Sequence, residues 1–344
     1  MRPFKSRLGH PRPDSGFRLA DYWVWCGSAL RGDDGLFHMF ASRIPKALAF
    51  SPHWLTHSEI VHAISDTPEG PYRFSDVALP PRDTAYWDGG ATHNPTIHRW
   101  GGQYLLYYSG TTFSFPRPTP ENPLKQFTEA FFEVNAAQRI GLAMADSPFG
   151  PWRRMDQPLL EPRPGQWDEC SITNPAPLIE ADGTTWLGYK SARDPKVHGW
   201  PKILKYGMAR APQPDGPFTR CCDGPIFRFE DPAIRIEDAF LWHEDGVYQM
   251  LLNDLTGKLT GEDHSGVHAW SEDGLRWQIA DPPQAYSRKV EWADGSVTVQ
   301  GSLERPQLLM QDGRPTHLIC ATANGPGHFN HATDTWNVVF PLAR

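Results

Sequence analysis

An apolar stretch, an Asp-Gly or Gly-Gly pair and an aromatic-rich stretch follow one another five times along the chain. The copies run from Ser28-Ala-Leu to Asp34-Gly35-LFHMF, from Pro95-Thr-Ile to Gly101-Gly102-QYLLYY, and from Pro177-Leu-Ile to Asp182-Gly183-TTWLGY. Two more run from Ala239-Phe-Leu-Trp to Asp245-Gly246-VYQMLL and from Gln307-Leu-Leu to Asp312-Gly313-RPTHLI. Asp-Gly between two short β-rich runs predicts a hairpin, because such turns need residues that tolerate positive φ. The turns stand 67, 81, 63 and 67 residues apart. Each hairpin is therefore part of a larger repeating unit.

A second element follows most of the hairpins: HAISDTPEGPY (62–72), LAMADSPFGPW (142–152), GMARAPQPDGPF (207–218) and, more loosely, VHAWSEDGLRW (267–277). Its alternating half predicts a third strand, and the Gly-Pro-aromatic turn leads into a fourth. Four strands per unit and five units predict an all-β fold, a five-bladed β-propeller of four-stranded antiparallel blades around a central axis. A β-sandwich with coincidental hairpins is the competing architecture. One catalytic domain spans 1–344, with blades at 20–80, 88–160, 168–228, 232–285 and 296–344, the last ending on TWNVVFPL at 335–342. Residues 44–57 and 112–138 exceed the repeat. Long additions of this kind serve as functional lids or as outer decoration, and 112–138 is a candidate homo-oligomer contact.

Composition narrows the classes. Lys and Arg number 33 against 40 Asp and Glu, a formal charge of −7, so nothing favours nucleic acid or an anionic membrane as partner. No apolar run approaches the roughly 18 residues of a membrane span. Disorder is excluded by 14 Trp, 18 Phe and 10 Tyr, which bury a sizeable core. Five cysteines, none in a paired CxxC pattern, predict reduced thiols. The start, MRPFKSRLGHPRPDSGF, is basic without the apolar stretch of a secretory signal. A cytoplasmic protein is expected, or a periplasmic one if the chain is trimmed.

In a propeller the first strand of every blade lines the axis, and residues just before it converge on a shared depression. Blade one offers Trp25, Cys26 and Gly27; blade two His93, Asn94 and Pro95; blade three Thr173, Asn174 and Pro175. Blade four offers Glu237 and Asp238, and blade five Glu304, Arg305 and Pro306. Blades two and three also share Trp87-Asp88-x5-Asn94-Pro95 and Trp167-Asp168-x5-Asn174-Pro175. Either both blades bring an aromatic and a carboxylate to the rim, or Asp caps a turn while Trp packs between sheets. Several carboxylates beside aromatic faces suit carbohydrate chemistry. One protonated carboxyl delivers a proton while another activates water or attacks, and crowding separates their pKa values.

With these units and the A-x-S/A-D-x-P-x-G-P-aromatic turns, the chain resembles, over nearly its full length, the propeller superfamily of arabinanases, β-xylosidases, invertases and levansucrases. It is nearest in style to glycoside hydrolase family 43. The resemblance implies a base Asp in blade one, a tuning Asp in blade three, an acid Glu in blade four, and inversion. Glu237, eight residues before Asp245, matches the acid. The other two positions hold Cys26-Gly27 and Asn174, so either the base has migrated or the activity has been lost. Asp168 and Asp88 lead, Glu304 follows, and Asp21 is also within reach. Asp238, His93, Asn94, Asn174, Arg305 and Trp25 would position the sugar, with Asp21, Trp87 and Trp167 at the rim.

The expectation is an exo-acting glycosidase on short oligosaccharides. Its alternatives are a non-catalytic carbohydrate-binding propeller, or a glycoside phosphorylase or transglycosylase. No GxSxG or GxGxxG motif supports a serine hydrolase or dinucleotide enzyme. His93 and His98 face opposite sides of a strand, and His328 and His331 read as a loop pair, so no metal site is predicted. A calcium or sodium ion in the channel is compatible with the sequence but specified by nothing in it. Lys190 and Arg193 either contact substrate or are solvated.

Overall fold

The computed structural model describes residues 3–199, 204–328 and 331–343. The fold is a five-bladed β-propeller. Blade one is β1 (Tyr22–Arg31), β2 (Phe37–Pro45), β3 (Glu59–Ser65) and β4 (Arg73–Leu79). Blade two is β5 (Ala91–Trp100), β6 (Gln103–Thr111), β7 (Arg139–Ala145) and β8 (Arg153–Arg154). Blade three is β9 (Thr173–Ile179), β10 (Thr185–Ser191), β11 (Lys205–Ala211) and β12 (Thr219–Arg220). Blade four is β13 (Ile236–Glu244), β14 (Val247–Asp254), β15 (Ser265–Ser271) and β16 (Gln278–Tyr286). A small hairpin, β17 (Lys289–Glu291) and β18 (Val297–Val299), precedes blade five: β19 (Ser302–Gln311), β20 (Arg314–Ala323) and β21 (Thr335–Pro341).

Each blade is an antiparallel meander, and the first strands β1, β5, β9, β13 and β19 neighbour one another in a closed cycle about the axis. The five hairpin turns place Gly35, Gly102, Gly183, Gly246 and Gly313 at positive φ, which is why glycine recurs there. Blade five has three strands in its sheet. Its outer edge is covered by the N-terminal segment, where Phe17 bridges Asn337 and Leu8 bridges Leu342. Apolar cores lie between adjacent blades. One joins Val24, Met39 and Val61 of blade one to Leu309, Ile319 and Val339 of blade five.

The two additions lie together. Residues 44–57 form α1 (Phe50–His57) and residues 112–138 carry α2 (Glu129–Ala136). Leu55 of α1 packs with Leu124, Phe131 and Val134. His53 ties them further, its Nδ1 donating to Ala49 O and its Nε2 accepting from Leu124 N at 3.0 Å. The second addition thus buttresses the first.

Candidate active site

The site begins with one backbone irregularity repeated five times. In each first strand one residue adopts φ between +52° and +63°: Cys26, Asn94, Asn174, Asp238 and Arg305. The pairing with the second strand slips at these places, as a β-bulge requires. A bulge breaks the strict in–out alternation of a strand, so two consecutive side chains serve the axis.

Neighbouring blades hold these bulges by their backbone amides. Asn94 N donates to Ser42 Oγ (3.1 Å), Asn174 N to Ser109 Oγ (3.0 Å), Gly27 N to Asn337 Oδ1 (2.7 Å) and Ala239 N to the Tyr206 hydroxyl (3.1 Å).

The five left-handed residues join across the axis. Cys26 Sγ donates to Asn94 Oδ1 (2.8 Å), and Asn94 Nδ2 to Asn174 Oδ1 (2.6 Å). Asn174 Nδ2 donates to Asp238 Oδ1 (2.6 Å), as does an Arg305 terminal nitrogen (3.1 Å). Burial pushes the Cys26 thiol up, so it stays a neutral donor. Four of these side chains, Asn94, Asn174, Asp238 and Arg305, form the floor of a pocket of about 100 Å³, with Cys26 bonded behind Asn94. A cation on the axis at this level does not fit, because the floor includes the buried Arg305 guanidinium.

The residues preceding four of them build the walls: Trp25, His93, Glu237 and Glu304. Phe50 and Trp54 of α1 complete an aromatic side, with Trp25 against Phe50 at 5.1 Å and Trp54 against His93 at 5.0 Å between ring centroids. Burial drives the His93 pKa well down, so that imidazole is neutral, with Nδ1 on Ser58 Oγ at 2.9 Å.

Each of the three carboxylates has its own cationic partner. Lys190 Nζ of β10 donates to Glu237 Oε2 at 2.7 Å, Arg305 holds Asp238, and His264 Nδ1 lies 2.6 Å from Glu304 Oε1. For Glu237, burial acts to raise the pKa but Lys190 outweighs it, and the net shift is downward. For Asp238, burial and the Glu237 charge outweigh Arg305 and push the pKa up to about 6. The two carboxyls therefore titrate as a pair that keeps a proton to mildly acidic pH. Oxygens of Glu237, Asp238 and Glu304 lie within 4.8 Å of one another.

Glu237, Asp238, Glu304, Arg305, His93, Asn94, Asn174 and Trp25 all line this one pocket. Asp88 and Asp168 do not, and their assignment as leading bases is corrected. Both are fully buried. Asp88 is bound by Arg82 (2.5 Å), Arg154 (3.4 Å) and the Tyr108 hydroxyl (2.7 Å). Asp168 is bound by Arg163 (2.9 Å), Arg220 (2.8 Å) and the Tyr189 hydroxyl (3.1 Å). Two guanidiniums per carboxylate tie the loop entering the blade to its outermost strand.

Trp87 and Trp167 belong to the same braces rather than to the sugar rim. They stack on Tyr108 (5.6 Å) and Tyr189 (5.9 Å). The Trp87 ring occupies the space a Cβ would need at Gly110 and Gly141. Asp21 is exposed and outside the pocket lining.

Sequence reasoning missed Phe50, Trp54 and His264, and left Lys190 undecided. Lys190 lines the pocket while Arg193 is exposed. Nothing in the repeat marks the three, since α1 is outside it and His264 comes from a loop.

No protein-family model matches the chain, and no curated protein matches it in sequence. Solved structures do match in three dimensions. Zg3597, a family 117 glycoside hydrolase of Zobellia galactanivorans, superposes with TM-score 0.66 at 17% identity, over 98% of this chain and 90% of that one. The GH43_1 enzyme of Xanthomonas citri complexed with xylose gives 0.59 at 16%, over 94% and 88%. The chain has the fold of the propeller glycoside hydrolases. An endo-arabinase of Bacteroides thetaiotaomicron also matches, with TM-score 0.57 at 11% identity over 96% of this chain and 98% of that one. At such identities the likeness establishes the propeller architecture.

Proposed function

We propose that this propeller is an exo-acting glycoside hydrolase that releases a terminal sugar from short oligosaccharides. What carries the reading is the set of three carboxylates meeting beside an aromatic wall, in a pocket that the hydrogen-bonded ring closes beneath. A blind pocket of about 100 Å³ admits a chain end rather than the middle of a polymer. The wall of Trp25, Phe50 and Trp54 suits the C–H face of a sugar ring, while Asn94, Asn174 and Asp238 suit its hydroxyls.

The environments divide the roles. The Glu237–Asp238 pair keeps a proton and is the acid. Glu304 is the opposing carboxylate. Facing oxygens of these carboxylates lie within 4.8 Å, against the roughly 6.5 Å or more between carboxyl groups that leaves inverting enzymes room for a water. This closeness favours direct attack by Glu304, in place of the inversion that the resemblance implied. A Glu304 oxygen bonds to the anomeric carbon, the glycosidic C–O bond breaks, and the leaving oxygen takes the pair's proton. Water then gives its proton to the pair and its oxygen to the anomeric carbon, which frees Glu304.

A panel of aryl glycosides and oligosaccharides, read by released sugar and by the anomer first formed, tests this. Release with retained configuration is expected. Glu237→Gln and Glu304→Gln should each lower turnover by about 10²–10⁴-fold. Binding without release, or less than a tenfold loss in both variants, would overturn the hydrolase reading.

A further inference from the structure

Of the three pocket carboxylates, Glu304 is the one whose cationic partner titrates near neutrality. The other two partners are an ammonium and a guanidinium, whereas an imidazole is the side chain whose ordinary pKa lies near neutral pH. His264 stands outside the pocket lining, behind Glu304, on the loop between β14 and β15. That loop is built to hold it. Asp254, fully buried, accepts from the amides of Thr256, Leu259 and Thr260 and from the Thr260 hydroxyl. Arg288 grips the neighbouring Asp263 at 2.7 Å. His264 itself sits at φ +53°, a strained conformation for a residue with a Cβ, and its amide donates to Asp254 O at 2.6 Å. Strain held by so many contacts is the mark of an over-determined position.

We propose that His264 is the positioning residue of Glu304: its imidazolium Nδ1–H fixes Oε1 and so aims Oε2 for attack. The proposal rests on the glycosidase reading only for the word attack; the charge and the hydrogen bond stand without it. No proton need move within the couple during the reaction: the Nδ1–H stays on Oε1 while Oε2 forms and breaks the bond.

The groups facing His264 agree in sign. Glu304 and Glu237 on the strands, and Asp263 beside it, are anionic. His328, from the loop after β20, lays its ring 3.7 Å from that of His264. Its own pKa is lowered by burial and then by the His264 charge, so it packs as a neutral ring. Arg288 is spent on Asp263. Burial works against the His264 charge, yet Glu304, Glu237 and Asp263 raise its pKa on balance above the ordinary 6.5.

Two measurements decide the matter. The first uses no substrate: NMR titration of the His264 ring in the whole protein. It should titrate above 6.5 in the parent and fall clearly in Glu304→Gln. A value at or below 6.5, or one indifferent to Glu304→Gln, overturns the proposal even if glycosides are cleaved. The second compares His264→Gln, which keeps a donor without the charge, with the parent. Its kcat should drop roughly 10–100-fold, as for other orienting partners one layer from the chemistry, with KM within about twofold.

A His264→Gln loss that falls on KM instead of kcat means mere packing and overturns the proposal. Should no glycoside be cleaved at all, the functional reading fails while the titration still decides this one. Should His264→Gln misfold, Glu304→Gln carries the test.

Discussion

Asp88 and Asp238 show how one residue type takes two opposite tasks. Asp88 sits between two arginines and a tyrosine with no exposure, and Asp168 repeats the arrangement in the next blade. Removing one partner from a buried pair leaves the other charge uncompensated. Asp88→Asn or Asp168→Asn should therefore cost about 3–5 kcal/mol in urea unfolding, while sugar binding by the variant at permissive temperature stays as in the parent. A changed sugar affinity would return them to the pocket. His264 gives a pH dependence of definite sign. Its folded pKa is raised above 6.5, so the couple with Glu304 stabilises fully below that value, and the contribution is lost as pH climbs through the raised one. Urea stability from pH 6 to 9 should show that fall in the parent and lack it in Glu304→Gln.

Among the elements, α1 is the one that turns an open propeller mouth into a pocket. Its Phe50 and Trp54 stand over the axis because Leu55 and His53 are clamped from the outside by the segment bearing α2. Trp54→Ala should leave thermal stability nearly unchanged, since the ring is only partly buried. It should weaken binding of the terminal sugar roughly tenfold, about 1.4 kcal/mol, measured by calorimetry. Equal affinity would remove Trp54 from the recognition surface. The strands themselves were legible from the Asp-Gly hairpins and the alternating third strands. The bulges were not, because a φ near +55° at Cys26 or Arg305 contradicts what those residue types prefer. Bonds to adjacent blades hold such bulges in place, Gly27 N donating to Asn337 Oδ1 and Asn94 N to Ser42 Oγ.

For the molecule as a whole, closure of the ring depends on a segment outside the repeat. The N-terminal stretch crosses the open edge of β21 and buries Phe4 beside Trp242 of blade four and Phe17 among side chains of blades five and one. Phe17→Ala should cost about 3–5 kcal/mol by urea denaturation, and a smaller loss would mean the seam closes without it. The chain's own pattern decided the architecture and the five positions before each inner strand, because periodicity and turn chemistry are local properties that survive in one dimension. Which carboxylates meet was decided in space alone. Asp88 and Glu304 look equally eligible in sequence, but arginines from remote segments neutralise the first, while a histidine from another blade stands behind the second, since electrostatic partnership depends on distance through space and not along the chain.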